Sequence, residues 1–219
     1  MAQSKAADAL VENFEDVKRL LQLHTMIGGK GKGRKHGLEV LNKAAIVLIT
    51  AFWEAYCEDL AAEGLQHLLK HSASAKKLPN QLLKQLAKEI KGAAHELEMW
   101  ELAGDGWKTY LGQRMQSLTD ERNRKLNTPK TGQIDELFKT ALGIANISKH
   151  WSWKGARRAK ENLDDFVELR GSIAHRGKSS ESVWKNQVTN YIDLVGRLAE
   201  KTDEAVNLFV SKQTGTPLF

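Results

Sequence analysis

Apolar residues along this chain recur at intervals of three and four, and no stretch of any length alternates apolar with polar, so the pattern predicts helices throughout. Seven are predicted. The first runs from about Ser4 to His24, with Leu10, Phe14, Val17, Leu20 and Leu21 on one face. A basic, Gly-rich break from Gly28 to Gly37 separates it from a long second helix over about Leu38 to His71, in which Leu41, Ala45, Leu48 and Phe52 share a stripe. Ser72 to Pro79 read as a loop, and Asn80 reads as the cap of a third helix reaching about Leu102, where Ala103-Gly104-Asp105-Gly106 breaks it. A fourth covers about Trp107 to Leu126, and Asn127-Thr128-Pro129 ends it, because Pro disfavours helix in the residue before it. A short fifth spans about Gln133 to Leu142, and a sixth about Ala156 to Arg176. The last, about Ser182 to Lys212, carries Trp184, Val188, Tyr191, Val195, Leu198 and Val206 at helical spacing.

Long helices joined by short breaks predict an all-α fold, an antiparallel helical bundle with an N-terminal helix on a Gly/Lys-rich linker. The expected division is residues 1–36 as helix and basic linker and residues 37–219 as the main helical domain. That first helix can pack on the bundle or swap between subunits. Composition agrees with helices: only three Pro occur in 219 residues, 41% of which are hydrophobic, enough for one sizeable core. The single cysteine, Cys57, leaves no internal disulfide and fits a reducing compartment. Met-Ala-Gln-Ser-Lys at the start lacks an apolar segment and no run is read as a membrane span, so a cytoplasmic protein without membrane association is expected. A net charge of +6, from 33 Lys and Arg against 27 Asp and Glu, permits a polyanionic partner without requiring one.

The segment Leu169-Arg170-Gly171-Ser172-Ile173-Ala174-His175-Arg176-Gly177 carries the chemistry that changes this picture. Leu163, Phe166, Val167, Ile173 and Ala174 recur at helical spacing, and Arg170 falls inside that stripe. An Arg on a face due for burial is costly unless it is paired, or lines a polar cleft or a subunit interface. Gly177 reads as the end of the helix, which puts His175 in its last turn, where the carbonyl ends favour the imidazolium. One fixed cation and one titratable group close together suit phosphodiester chemistry. A core Arg paired with a carboxylate, beside an ordinary helix-end His, is the plainer reading of the same spacing.

The segment resembles the Arg-x4-6-His signature of the HEPN superfamily, all-helical domains that include metal-independent ribonucleases. It is most similar to the RiboL-PSP-type branch, whose motif reads Arg-Asn-x-Ile-Ala-His-Gly: Arg170, Ile173, Ala174 and His175 match. Ala51-Phe52-Trp53-Glu54-Ala55-Tyr56 resembles the aromatic-aromatic-Glu helix of that branch, and Leu126-Asn127-Thr128-Pro129 followed by Ile134-Asp135-Glu136-Leu137-Phe138 is also similar. Gly171 stands where Asn or another polar residue is usual, and Arg176 where Gly is common, which puts full catalytic competence in question. The resemblance implies a HEPN-type bundle that cleaves RNA by attack of the ribose 2′-hydroxyl on the neighbouring phosphate. It leaves a 2′,3′-cyclic phosphate and needs no metal or cofactor. His175 is then the general acid or base, Arg170 the phosphate clamp, and Glu54 the carboxylate that orients Arg170. It further implies a homodimer with the site at the two-fold interface, and a toxin or phage-defence role with an antitoxin as partner.

Other groupings carry less. Gly28 to Lys35 has glycines like a phosphate-binding loop, but Arg34-Lys35 follows Gly33 and no strand precedes it. Lys30, Lys32, Arg34 and Lys35, with Arg176 and Lys178, can instead grip an RNA backbone as point charges, or the break can be a solvated tether. His67 and His71 are spaced for zinc without an evident third ligand. Trp151 and Trp153, among Lys149, His150 and Lys154, can stack on bases or pack on the bundle. Two further functions remain open: a non-catalytic HEPN module that binds a protein or nucleotide, and a plain nucleic-acid-binding bundle.

Overall fold

Six helices with defined ends carry the fold in a computed structural model of the chain: α1 (Lys5–Gly28), α2 (Glu39–His71), α3 (Asn80–Lys91), α5 (Thr131–Leu142), α6 (Ala159–Arg176) and α7 (Lys185–Thr214). Residues 106–113 add α4, and short 3-10 turns occupy Ala75–Lys77 and Ile147–His150. The structure describes residues 3–29, 37–92, 102–113, 128–153, 158–176 and 182–219, and the side chains of all of these except His175 and Arg176. Among the described residues there is no strand, in keeping with the all-α prediction.

α2 is the centre. α1, α5, α6 and α7 all pack on it, so burial wraps most of its circumference. That explains why a single stripe misjudges it. Ile46, Ile49, Trp53, Leu60 and Leu65 are deepest, whereas the predicted Leu41, Leu48 and Phe52 are only half-buried. The absence of a membrane-length apolar run is also corrected: α2 is long and apolar enough to cross a membrane by length and composition. Here it is apolar because four helices bury it.

α1 lies antiparallel to α2 and α7. Its first turn rests on Glu63, late in α2, which accepts from Ala6 N at 2.7 Å and Lys5 N at 3.2 Å. At its far end Thr25 accepts from Lys185, at the start of α7. α2 and α7, four helices apart in sequence, run the same way: Asn42 meets Val183, Tyr56 meets Ala199 and His67 meets Thr216.

Ser4, the predicted first residue of the helix, is instead its cap, accepting from Ala7 N at 3.0 Å. Its own hydroxyl and backbone N–H donate to the two oxygens of buried Asp203, at 2.6 and 2.9 Å. The Tyr56 hydroxyl donates to the Ala199 carbonyl at 2.7 Å and lies 3.1 Å from Asp203 Oδ1. Burial and the Asp203 carboxylate hold that phenol well above its usual range, so it stays neutral. α1 is thus tied to α2 and α7 by a buried polar network as well as by Leu10, Phe14 and Val17.

Other boundaries moved. Pro79, not Asn80, is the residue before α3, whose helix closes at Gly92; the predicted extension from residue 93 to 101 lies outside the described residues. α5 begins at Thr131, two residues before the predicted Gln133, because Asp164 of α6 accepts from Thr131 N at 2.7 Å and supplies the cap from another helix. It ends at Gly143, φ 79°, where a Cβ would lie 3.0 Å from Leu82 N, so this left-handed, close-packed corner suits glycine alone. Trp184 sits outside the predicted α7 stripe and is exposed, and Ala174 is likewise on the solvent side of α6.

Candidate functional site

Aromatic residues set the rotation of α2 and thereby aim Glu54. Trp53 is fully buried, donates from Nε1 to the Pro129 carbonyl at 3.2 Å, and packs edge-on against Trp151 at 6.0 Å. Tyr56 is anchored on α7, and its ring stacks on Trp53 at 5.6 Å. With Trp53 and Tyr56 fixed in the core, Glu54 and, one turn later, Glu58 turn toward α5. Both line a narrow space of about 10 Å³ walled by Pro129, Gln133, Ile134 and Leu137, room for one water at most.

The same short segment fastens α6. Asp164 caps Thr131, and Lys130 forms an ion pair with Glu168. Residues 129–131 therefore grip α2 through Trp53 and α6 through Asp164 and Glu168. This clamp brings Arg170 into electrostatic contact with Glu54. Leu163, Phe166, Val167 and Ile173 are buried as predicted; Arg170 is half-buried among them with its Nε enclosed by protein.

Glu54 is pushed up to about 7 from an ordinary 4.5, first by burial and then by Glu58, with Arg170 opposing both. Its proton is thus exchanged near neutral pH. The linkage follows directly: between 4.5 and about 7 the folded chain keeps a proton the unfolded chain has lost, so stability is highest below that window and falls as pH rises through it. Glu54→Gln cannot ionise. It should therefore gain stability relative to wild type at pH 8 and not at pH 5. Urea midpoints at the two pH values check this, and an equal difference at both would contradict it.

α6 continues from Arg170 to position 175 and ends at Arg176. Helical register sets positions 170 and 175 about 140° apart around the axis. The side chains of His175 and Arg176 lie outside the described residues, as do Lys178, Lys30, Lys32, Arg34, Lys35 and Gly177, the predicted end of the helix. Of the sequence-derived candidates, Glu54 and Arg170 are the two brought together. Reasoning from sequence missed Asp164 and Lys130, whose role depends on contacts 33 and 38 residues away.

The remaining candidates settle into structural places. Asp135 accepts from Ser148 N and Oγ, at 2.8 and 2.7 Å, and fixes the turn leading to Trp151. Trp151 is buried and donates to Thr202 Oγ1 at 2.9 Å, so it is no stacking platform; Trp153 is half-buried under Arg197. His67 Nε2 lies 2.9 Å from the Thr216 carbonyl, which accepts only from a protonated ring nitrogen, so that atom is occupied. Among the described residues no group of three or more His, Cys, Asp or Glu could hold a metal ion.

No curated protein and no solved structure matches the chain. The family model of RiboL-PSP-HEPN matches residues 8–208, a span that begins within α1 and includes Trp53-Glu54, Pro129 and Arg170 together. The chain belongs to the RiboL-PSP-HEPN family.

Proposed function

We propose that this HEPN protein is a metal-independent RNA endonuclease whose site is built on Arg170, His175 and Glu54. The observation that carries the reading is that half-buried Arg170 lies near enough to Glu54, which faces α5, to oppose the rise of its pKa. A carboxylate that titrates near neutrality beside a guanidinium can orient it without permanently cancelling its charge. In the reaction the ribose 2′-hydroxyl loses its proton and attacks the adjacent phosphorus, and the bond from phosphorus to the 5′-oxygen breaks. The products are a 2′,3′-cyclic phosphate and a 5′-hydroxyl. His175 takes or supplies a proton, and Arg170 stabilises charge on the pentacoordinate phosphorus.

In this reading two copies meet across a two-fold axis, and the facing subunit covers the rest of the Arg170 surface. Positions 170 and 175, on different sides of α6, are then both used when motif helices face each other. RNA is the substrate, Arg176 and Lys178 contact its backbone, and the proposed role is that of a toxin or defence component with an antitoxin partner.

Gly171 favours a second reading, a non-catalytic binding module, since it replaces the usual polar residue. Packing does not demand it: a Cβ at Gly171 would meet nothing within 4 Å. Gly171→Asn therefore fits and should raise cleavage of single-stranded RNA above wild type, while favouring the helix by some tenths of a kcal/mol. A parallel melt separates the two effects. Absence of cleavage in both forms across RNA substrates would favour the binding module.

A further inference from the structure

Among the described residues six large apolar side chains are exposed, and four of them gather at one end of the bundle: Met26, Ile27, Val40 and Trp184. The contacts of Thr25 with Lys185, and of Asn42 and Glu39 with Val183, place the end of α1 and the starts of α2 and α7 together there. Trp184 stands out. Trp53, Trp107 and Trp151 are buried, whereas Trp184 is 52% exposed. Its backbone is nonetheless held on both sides. The preceding Val183 carbonyl accepts from buried Asn42 at 2.9 Å, and Trp184 N donates to Gln187 Oε1 at 2.7 Å. The indole is presented to solvent from a fixed mount.

Beside it an open groove between α1 and α7 is lined by Lys18, Leu21, Gln22, Thr25, Met26 and Lys185. Among the described residues no carboxylate lines it. Glu15 pairs with Lys18 from one turn back at 2.6 Å, an exposed pair that a phosphate can displace at little cost. Two ammonium groups, an amide and a hydroxyl next to a flat aromatic face match a nucleotide strand better than they match a protein surface, which would call for opposite charges of its own. Arg176 and Lys185 lie nine positions apart, at most about 32 Å of chain, so a strand lying at the end of α6 reaches this groove within a few nucleotides.

We propose that this end of the bundle is a docking site for single-stranded RNA, with an unpaired base stacked on Trp184 and its neighbouring phosphates held by Lys18 and Lys185. The choice of RNA rests on the ribonuclease reading; the site itself rests on the groove and the mounted indole. It makes no sequence-specific contact, because stacking accepts every base.

The test is fluorescence anisotropy of a labelled 2′-O-methyl oligonucleotide, which lacks the attacking hydroxyl and so stays intact, titrated with the full chain. Trp184→Ala should weaken binding about tenfold and Trp184→Phe should keep most of it. Lys185→Ser should flatten the slope of log affinity against log salt by about 0.7, the loss of one phosphate contact on a single strand. Affinity unchanged in Trp184→Ala overturns the proposal, as does failure of the wild type to bind. Unchanged affinity together with an altered sedimentation coefficient for Trp184→Ala would assign the patch to a protein interface instead. Trp184-dependent binding without cleavage of unmodified RNA would sustain the docking site and remove the ribonuclease reading; cleavage with a KM indifferent to Trp184 would do the reverse.

Discussion

Arg170→Ala and His175→Ala should each abolish cleavage of single-stranded RNA, with losses on the order of a hundred- to ten-thousand-fold, while circular dichroism and sedimentation show a helical dimer. The two act differently. Arg170 is a fixed charge, so its loss removes stabilisation of the phosphorane at every pH; Arg170→Lys should restore little, because an ammonium lacks the planar fork that a carboxylate can orient. Arg170→Ala also takes away an influence that lowers Glu54. The Glu54 carboxyl should then titrate above 7 by carbon NMR, a readout independent of activity. An unmoved titration would separate Glu54 from Arg170 and undo the site.

The largest expected effect on stability is at Trp53. Trp53→Ala deletes a fully buried indole at the centre of the bundle and should cost about 3–5 kcal/mol in urea unfolding. It also leaves the Pro129 carbonyl without its donor and loosens residues 129–131, which hold both α2 and α6. Trp53→Phe keeps most of the volume and loses the hydrogen bond, so a cost of about 1–3 kcal/mol is expected. Activity should fall more than stability in Trp53→Phe, since the Trp53–Pro129 bond helps set the rotation of α2 that aims Glu54. Equal stability of Trp53→Ala and wild type would mean that the clamp is not structural.

What periodicity can reveal is a helix with one buried face, and α1 and α6 are of that kind. The start of α1 near Ser4, the stripe from Leu10 to Val17, and Arg170 among Phe166, Val167 and Ile173 all follow from spacing. α2 escapes such reading because four neighbours cover most of it and exposed positions such as Ala44, Ala51 and Ala55 are themselves apolar, so little polar pattern marks its orientation. Trp184 escapes it for the opposite reason: helical spacing groups it with Val188, yet it precedes α7 and takes no helical direction. Glu54 has nothing in its local pattern to distinguish it from Glu58 or Asp59; only resemblance singles it out. The Ser4–Asp203 bonds span 199 residues, and the Asp164 cap on α5 crosses between helices, so no local signal announces either.

In the proposed function Arg170 and His175 cleave RNA with the substrate's own 2′-hydroxyl as nucleophile. The most direct measurement is the end chemistry of the products from a single-stranded RNA incubated with the full chain in excess EDTA. The expected result is undiminished cleavage leaving 2′,3′-cyclic phosphate and 5′-hydroxyl ends, lost in His175→Ala and absent on a 2′-O-methyl strand. Cleavage that stops with EDTA, or that leaves 5′-phosphate ends, would contradict it.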